Sequence, residues 1–213
     1  VRVRRAGDAA LLVETGDPAT AHRLRAALLA DTADPSGGVI DGVIDGVIDV
    51  VPGERTVLVT VDPARCDPAW LAARIADLPL PEPAGAGDAP VELPVTYDGA
   101  DLAEVAELTG LSPAEVVERH AAASYVVAYL GFSPGFGYLT GLDPRLHVPR
   151  RATPRTTVPA GSVAIAGPYS AVYPAGSPGG WRLLGRTRVA LWDIDRDPPS
   201  LLQPGTRVRF RPS

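Results

Sequence analysis

The chain has 213 residues, enough for one large domain or two small ones, and its 46% hydrophobic and 21% charged content is that of a folded soluble protein. Twenty basic residues, all of them arginine, stand against 25 acidic ones for a net charge of −5, which argues against general nucleic-acid binding. Cys66 is the only cysteine, so no internal disulfide is expected. No apolar run reaches membrane-spanning length, and the expected location is the cytoplasm.

In chain order, residues 1–15 read as a strand pair turning at Gly7-Asp8. Asp17-Pro18 opens a helix, with Asp17 as cap, Pro18 in the first helical position and Leu24, Leu28 and Leu29 in helical period; His22 falls on it. Residues 38–49 repeat one tetrapeptide, GVID, three times, which reads as a duplication lengthening a strand or loop. One carboxylate per copy is too few for a calcium repeat. RTVLVTVD is a strand, and Asp67-Pro68 opens a second helix through Trp70, Leu71, Ile75 and Leu78. Residues 1–80 are therefore predicted to form a small α+β domain. The Pro- and Gly-rich run at 81–90 reads as a linker.

A second domain is predicted over 91–213. VELPVTY opens it as a strand, and two helices follow. Asp101 is placed as cap of the first, which closes at Gly110; Ser112-Pro113-Ala114-Glu115 is a capping box for the second. The pair resembles a DNA-reading helix-turn-helix, but its many acids would be repelled by phosphate, so scaffolding is the expected role. His120 ends the second helix, just before the strand SYVVAYLGF. After Trp181, RLLGRTRVALWDID reads as strand-turn-strand with its turn at Gly185-Arg186, and TRVRFR as a last strand. Many short strands with Gly/Pro turns predict a β-barrel or sandwich.

The candidate site lies at 131–181, where 17 of 51 residues are Gly or Pro. Phe132, Phe136, Tyr138, Tyr173 and Trp181 are spaced between them, which argues for folded loops and short strands rather than disorder. From Pro144 to Trp192 there is no Asp or Glu, and Arg145, Arg150, Arg151, Arg155, Arg182, Arg186 and Arg188 give +7, leaving −12 on the rest of the chain. Clustered guanidinium groups fit an anion or an acidic partner; the alternative is a basic face offset by acids elsewhere in the fold. The sequence holds no nucleophile elbow around Ser162, no Walker loop, no dinucleotide fingerprint and no zincin motif. Ser162 reads as a turn residue or hydrogen-bond donor; Tyr173 and Trp181 read as core rather than as a ligand platform, although their neighbours, Pro174 and Pro178-Gly179-Gly180, pull toward exposure. With no self-sufficient catalytic set, the chain reads as half of a shared active site or as a partner-binding regulator.

Four strings, GVIDVVPGERTVLV (46–59), GFSPGFGYL (131–139), LDPRLHVPRRATPRTTVPAGSVAIAG (142–167) and VYPAGSPGGWRLLGRT (172–187), resemble the allophanate hydrolase subunit 1 family, whose members include the B-type subunit of 5-oxoprolinase and a sporulation-kinase inhibitor. Gly137, where the family usually has Pro, and the repeated GVID depart from its pattern. The resemblance implies a ferredoxin-like first domain and a cyclophilin-like β-barrel second domain. It implies an active site shared with a partner of the allophanate hydrolase subunit 2 family, the C-type subunit of 5-oxoprolinase, and a third, A-type, subunit. It further implies ATP-dependent opening of 5-oxoproline to glutamate, with ATP bound by the complex; that no metal site is expected on this chain follows from the residues, whose three histidines are scattered. By the same analogy Arg150, Arg155 and His120 are catalytic candidates, and Arg151, Ser162, Tyr173, Trp181, Arg186 and Phe136 line the substrate. A regulator that blocks histidine-kinase autophosphorylation is the second reading; prolyl isomerase, by fold likeness alone, is the weakest.

Overall fold

The computed structural model describes residues 1–30, 44–81 and 89–213, and the chain divides into two units, Val1–Gly87 and Asp88–Ser213. In the first, β1 (Arg2–Arg5) turns at Gly7 into β2 (Ala10–Glu14), as the sequence predicts. Helix α1 (Pro18–Ala30) starts where Asp17 accepts the Thr20 N–H at 2.8 Å, and α2 (Pro68–Asp77) where Asp67 accepts the Ala69 N–H at 2.8 Å. β3 (Val47–Pro52) and β4 (Thr56–Val61) complete an antiparallel sheet of order β1-β2-β4-β3. Period-two alternation sends Leu11, Val13, Val57 and Val59 to the face that buries Leu24 and Leu28 of α1 and Leu71 and Ile75 of α2. Burial pushes the Cys66 thiol up within this core. The first GVID copy and half of the second lie outside the described residues; the third begins β3, an edge strand.

The second unit holds β5 (Val91–Val95), α3 (Leu102–Thr109), α4 (Pro113–Ala122), β6 (Tyr125–Leu130), β7 (Gly137–Thr140), β8 (Arg155–Val158), β9 (Ser162–Ala166), β10 (Tyr169–Val172), β11 (Ser177–Gly179), β12 (Arg182–Arg186) and β13 (Arg207–Pro212). Seven strands form one sheet of order β12-β9-β10-β7-β6-β13-β5, and β8 pairs with β11 as a separate ribbon. Thr96 and Arg186 exchange two backbone hydrogen bonds of 2.9 Å, so the two ends of the sheet meet and the barrel is nearly closed. The expected turn at Gly185-Arg186 is not there. Gly185 sits inside β12 opposite Val163, at a bulge, where a Cβ would lie 2.4 Å from the Thr96 carbonyl oxygen. A glycine that reads as a turn instead lets two backbones close the seam.

β9 is buried on both faces. Val163 and Ile165 join the main core with Leu93, Val127, Leu184 and Phe210, where Val105 of α3 and Val116 of α4 also pack. Ala164 and Ala166 turn to a second cluster with Ala171, Leu183, Phe136, Tyr173 and Trp181, to which Val158 of the ribbon contributes. Small residues on that face make room for the rings.

The capping box is formed as predicted: Glu115 N–H donates to Ser112 Oγ at 3.2 Å and the Ser112 N–H to Glu115 Oε2 at 2.8 Å. Ser112→Ala should lower the urea-unfolding free energy by about 1 kcal/mol. Among the described residues no helix is long and apolar enough to cross a membrane.

Candidate anion-binding site

The structure supplies the acids that the arginine segment lacks, and takes them from the start of α3. Asp101 stands at the N-cap position of that helix, as expected, but its side chain makes no cap hydrogen bond. Its carboxylate turns toward β12 and the arginines: Oδ1 accepts from Arg151 Nη1 at 2.8 Å and Arg155 Nη2 at 2.7 Å, and Oδ2 from the Leu183 N–H at 2.7 Å. The Asp101 N–H donates back to the Leu183 carbonyl at 3.1 Å. Asp101 is 1% exposed. Burial works to raise its carboxyl, but the Arg155 hydrogen bond, the Leu183 N–H and the charges of Arg155 and Arg151 outweigh it and hold the group below the ordinary aspartate value. The loop before it can come this close because Gly99 has no Cβ: one would lie 2.3 Å from the Leu183 carbonyl oxygen.

Glu104, one turn into α3, pairs with Arg182 and lies 3.4 Å from Arg151 Nη1. Arg186 is exposed and pairs with Asp98 at 2.8 Å. The offset basic face left open by the sequence is therefore what forms at these four arginines. Arg155 Nη1, Arg151 Nε and Ser177 Oγ are buried without a hydrogen-bond partner among the described residues.

Arg150 stands apart from this network. It is exposed, and its guanidinium carbon lies 5.9 Å from the centre of the Trp181 ring. Trp181 and Tyr173 are 5% and 1% exposed, core rings as their residue types suggest and against the pull of their Pro and Gly neighbours. Phe136 meets Tyr173 at 5.3 Å and Trp181 at 5.5 Å, edge to face in both cases, and the β8–β11 ribbon adds Val158 to the same cluster. Burial pushes the Tyr173 hydroxyl up, against the opposing effects of the Trp181 N–H and the charges of Arg150 and Arg155. Arg150, Arg155, Tyr173, Trp181 and Phe136 thus come together. Phe132, not singled out for the site by the sequence, holds a left-handed backbone at φ 66° with its ring 60% exposed and edge-on to Phe136 at 5.2 Å.

Two expected site residues lie elsewhere or act otherwise. Ser162 Oγ donates to the Pro159 carbonyl at 2.8 Å, the turn role read from the sequence. His120 is not behind the arginines but in the main core. It is 0% exposed, stacked on Phe210 at 4.6 Å, with Nδ1 2.8 Å from the Tyr97 hydroxyl and Nε2 2.9 Å from Ser170 Oγ. Ser170 Oγ itself donates to the Ala164 carbonyl at 3.3 Å, so it accepts from Nε2–H, and Nδ1 accepts from Tyr97. The imidazole is neutral, its pKa pushed down by burial to about 3. A cleft of about 510 Å³ lined by Glu115, Glu118, Arg119, Ala122, Ala123, Gly141 and Asp143 shares no residue with the arginine site.

Sequence reading missed Asp101 and Glu104 as partners of the arginines. A signal was present: VELPVTYDGADLAEVAELTG holds five carboxylates and no base, the complement of the carboxylate-free arginine span.

Chemically, the arrangement offers one guanidinium over an indole face with no carboxylate partner among the described residues, set in a frame of paired arginines. Comparison with known proteins agrees with the resemblance seen in the sequence. The family described as carboxyltransferase domain, subdomain C and D, matches residues 1–202. The chain is 56% identical over 125 residues to the B-type subunit of 5-oxoprolinase from Escherichia coli O157:H7, covering 57% of this chain and 57% of that protein. It superposes on the crystal structure of TTHA0988 with TM-score 0.80 and 38% identity, covering 100% of this chain and 41% of the other. The K. lactis urea amidolyase shares the fold at TM-score 0.70 and 22% identity, over 99% of this chain and 15% of that one. The matched region spans little more than half the length of the 5-oxoprolinase relative. Over nearly its whole length, the chain belongs to the carboxyltransferase subdomain C and D family, the allophanate hydrolase subunit 1 family.

Proposed function

We propose that this chain is the B-type subunit of an ATP-dependent 5-oxoprolinase, shares an active site with a C-type subunit, works with an A-type subunit, and takes part in opening 5-oxoproline to glutamate in the cytoplasm. The observation that carries the reading is the 56% identity to a 5-oxoprolinase B-type subunit. The name of that relative weighs for an enzyme subunit over an inhibitor of kinase autophosphorylation. The proposed domains are a ferredoxin-like unit at 1–80, a linker at 81–90 and a cyclophilin-like barrel at 91–213 carrying the site. The order β1-β2-β4-β3 with one helix after each strand pair supports the first. It is the order of a βαββαβ unit whose last strand has moved to the front.

In this reading the 5-oxoproline carboxylate, or an acyl-phosphate anion, sits at the Arg150–Trp181 face. Arg151 and Arg155 frame it, Phe136 and Tyr173 support the indole, and the pocket is closed by the C-type partner; Arg186, at the far end of β12 and paired with Asp98, stands outside it. Donors aimed at developing negative charge are what such a half-site contributes. A triphosphate does not fit the same place. Arg151, Arg155 and Arg182 are held by Asp101 and Glu104, so among the described residues the Trp181 face offers a single free guanidinium. ATP is therefore assigned to the complex, and no step is routed through it on this chain. His120, buried and neutral, supports the barrel and takes no part in proton transfer.

Co-expression with C-type and A-type subunits, followed by size exclusion and an assay of glutamate release, tests the reading. A stable complex should release glutamate from 5-oxoproline only when ATP is supplied. Assembly without ATP-dependent glutamate would sink it.

A further inference from the structure

Arg150, Arg151 and Arg155 carry the same side chain within one short stretch, yet the structure treats them differently. Arg151 and Arg155 converge on a single oxygen of Asp101 at 2.8 and 2.7 Å. The other oxygen is fixed to β12 through the Leu183 N–H. A buried carboxylate with three donors is a rigid point, and the loop that bears it is wedged against Leu183 and Leu184 at Gly99. The rigidity passes on. The Arg151 N–H donates to the Gly180 carbonyl at 2.7 Å, which ties residues 150–151 to the backbone just before Trp181. Arg150 is thereby set over the indole, with no carboxylate partner among the described residues. A guanidinium held to an aromatic face keeps its edge N–H groups free for a planar or tetrahedral oxyanion.

We propose that Arg150 is the group that receives an oxyanion at this site, and that Asp101 is a positioning residue that locks Arg151 and Arg155 into the frame that holds Arg150 over Trp181. The assignment rests on the reading above, that the basic segment holds an anionic group of the substrate. It departs from that reading in giving the contact to one arginine of the cluster. The opposite arrangement is that Arg151 and Arg155 bind the anion and Asp101 merely occupies their forks in its absence. The two differ in sign. An occupying carboxylate competes with the anion, so removing its charge strengthens binding; a positioning carboxylate supports the site, so removing its charge weakens binding.

The test uses the full chain with Trp70→Phe and Trp192→Phe, which leaves Trp181 as the sole indole reporter beneath Arg150. Its emission is titrated with 5-oxoprolinate, with the neutral carboxamide of 5-oxoproline, and with inorganic phosphate. At least one of the two anions should give a saturable change and the carboxamide none; which anion binds tells a carboxylate site from a phosphoryl site. Arg150→Gln should weaken binding about tenfold or more, the loss of a charged hydrogen bond, with Arg150→Lys recovering part of it and Arg188→Gln matching the parent. Asp101→Asn should weaken binding several-fold. Binding unchanged in Arg150→Gln, or tighter in Asp101→Asn, overturns the assignment while leaving an anion site in place. No response to either anion overturns the anion reading itself. Should Asp101→Asn fail to fold, the Arg150 series decides alone.

Discussion

Asp101→Ala should lower the unfolding free energy of the second unit by about 3–5 kcal/mol, the range for breaking a buried ion pair from one side. The substitution strands three donors at once: Arg151 Nη1, Arg155 Nη2 and the Leu183 N–H. The two guanidinium groups keep part of their exposure and recover some hydration, which pulls toward the lower end. The Leu183 N–H is in a buried strand and recovers none, and an orphaned backbone donor adds about 1–3 kcal/mol. Asp101→Asn keeps the shape and one acceptor and should lose roughly half as much. Urea unfolding followed by Trp181 and Trp192, in a Trp70→Phe background, reports this unit. A loss under about 1 kcal/mol for Asp101→Ala would show that the contacts are marginal.

The second large effect is acid sensitivity through His120. Its pKa is pushed down from 6.5 to about 3 by burial, which desolvates an imidazolium that no acid among the described residues pairs with. Below 6.5 the unfolded chain takes up a proton that the folded one refuses. The stability is therefore complete above pH 6.5 and drains as pH falls toward 3, by about 1.4 kcal/mol per unit. Asp101 acts in a different window: its carboxyl is held below 3.8, so its contribution is present above that value and is lost beneath it. Urea unfolding at a series of pH values from 7 to 4 separates the two. His120→Gln, less stable at pH 7, should flatten the slope between 6 and 4.5. A parent protein already flat over that interval rules out a buried neutral His120.

What could be read from the sequence was what is local. Asp17, Asp67 and the Ser112–Glu115 box bond within three residues of themselves, so their residue types suffice to place helix starts. Short strands between Gly and Pro gave the barrel for the same reason. Asp101 looked like another cap; the base-free acidic run around it complements the arginine span, but it does not single out Arg151, Arg155 and Leu183, 50 to 82 positions away, as its partners. Trp181 and Tyr173 read as core by residue type, with flanking Pro and Gly pulling toward exposure. They are buried because β9 and β10 turn Ala164, Ala166 and Ala171 toward them, which strand alternation alone does not reveal. His120 had the composition of a site residue and the environment of a core one, and environment is a tertiary property.

The place of β13 also governs how the second unit is born. It lies between β5 and β6, parallel to one and antiparallel to the other. β6 ends at Leu130, while β13 begins only at Arg207. At roughly 5–20 residues per second, a ribosome leaves the flank of β6 bare for on the order of 4–15 seconds. The barrel is thus an obligately late structure during translation, and a nascent chain paused in that interval presents two unsatisfied strand margins to whatever chaperone or sister chain it meets.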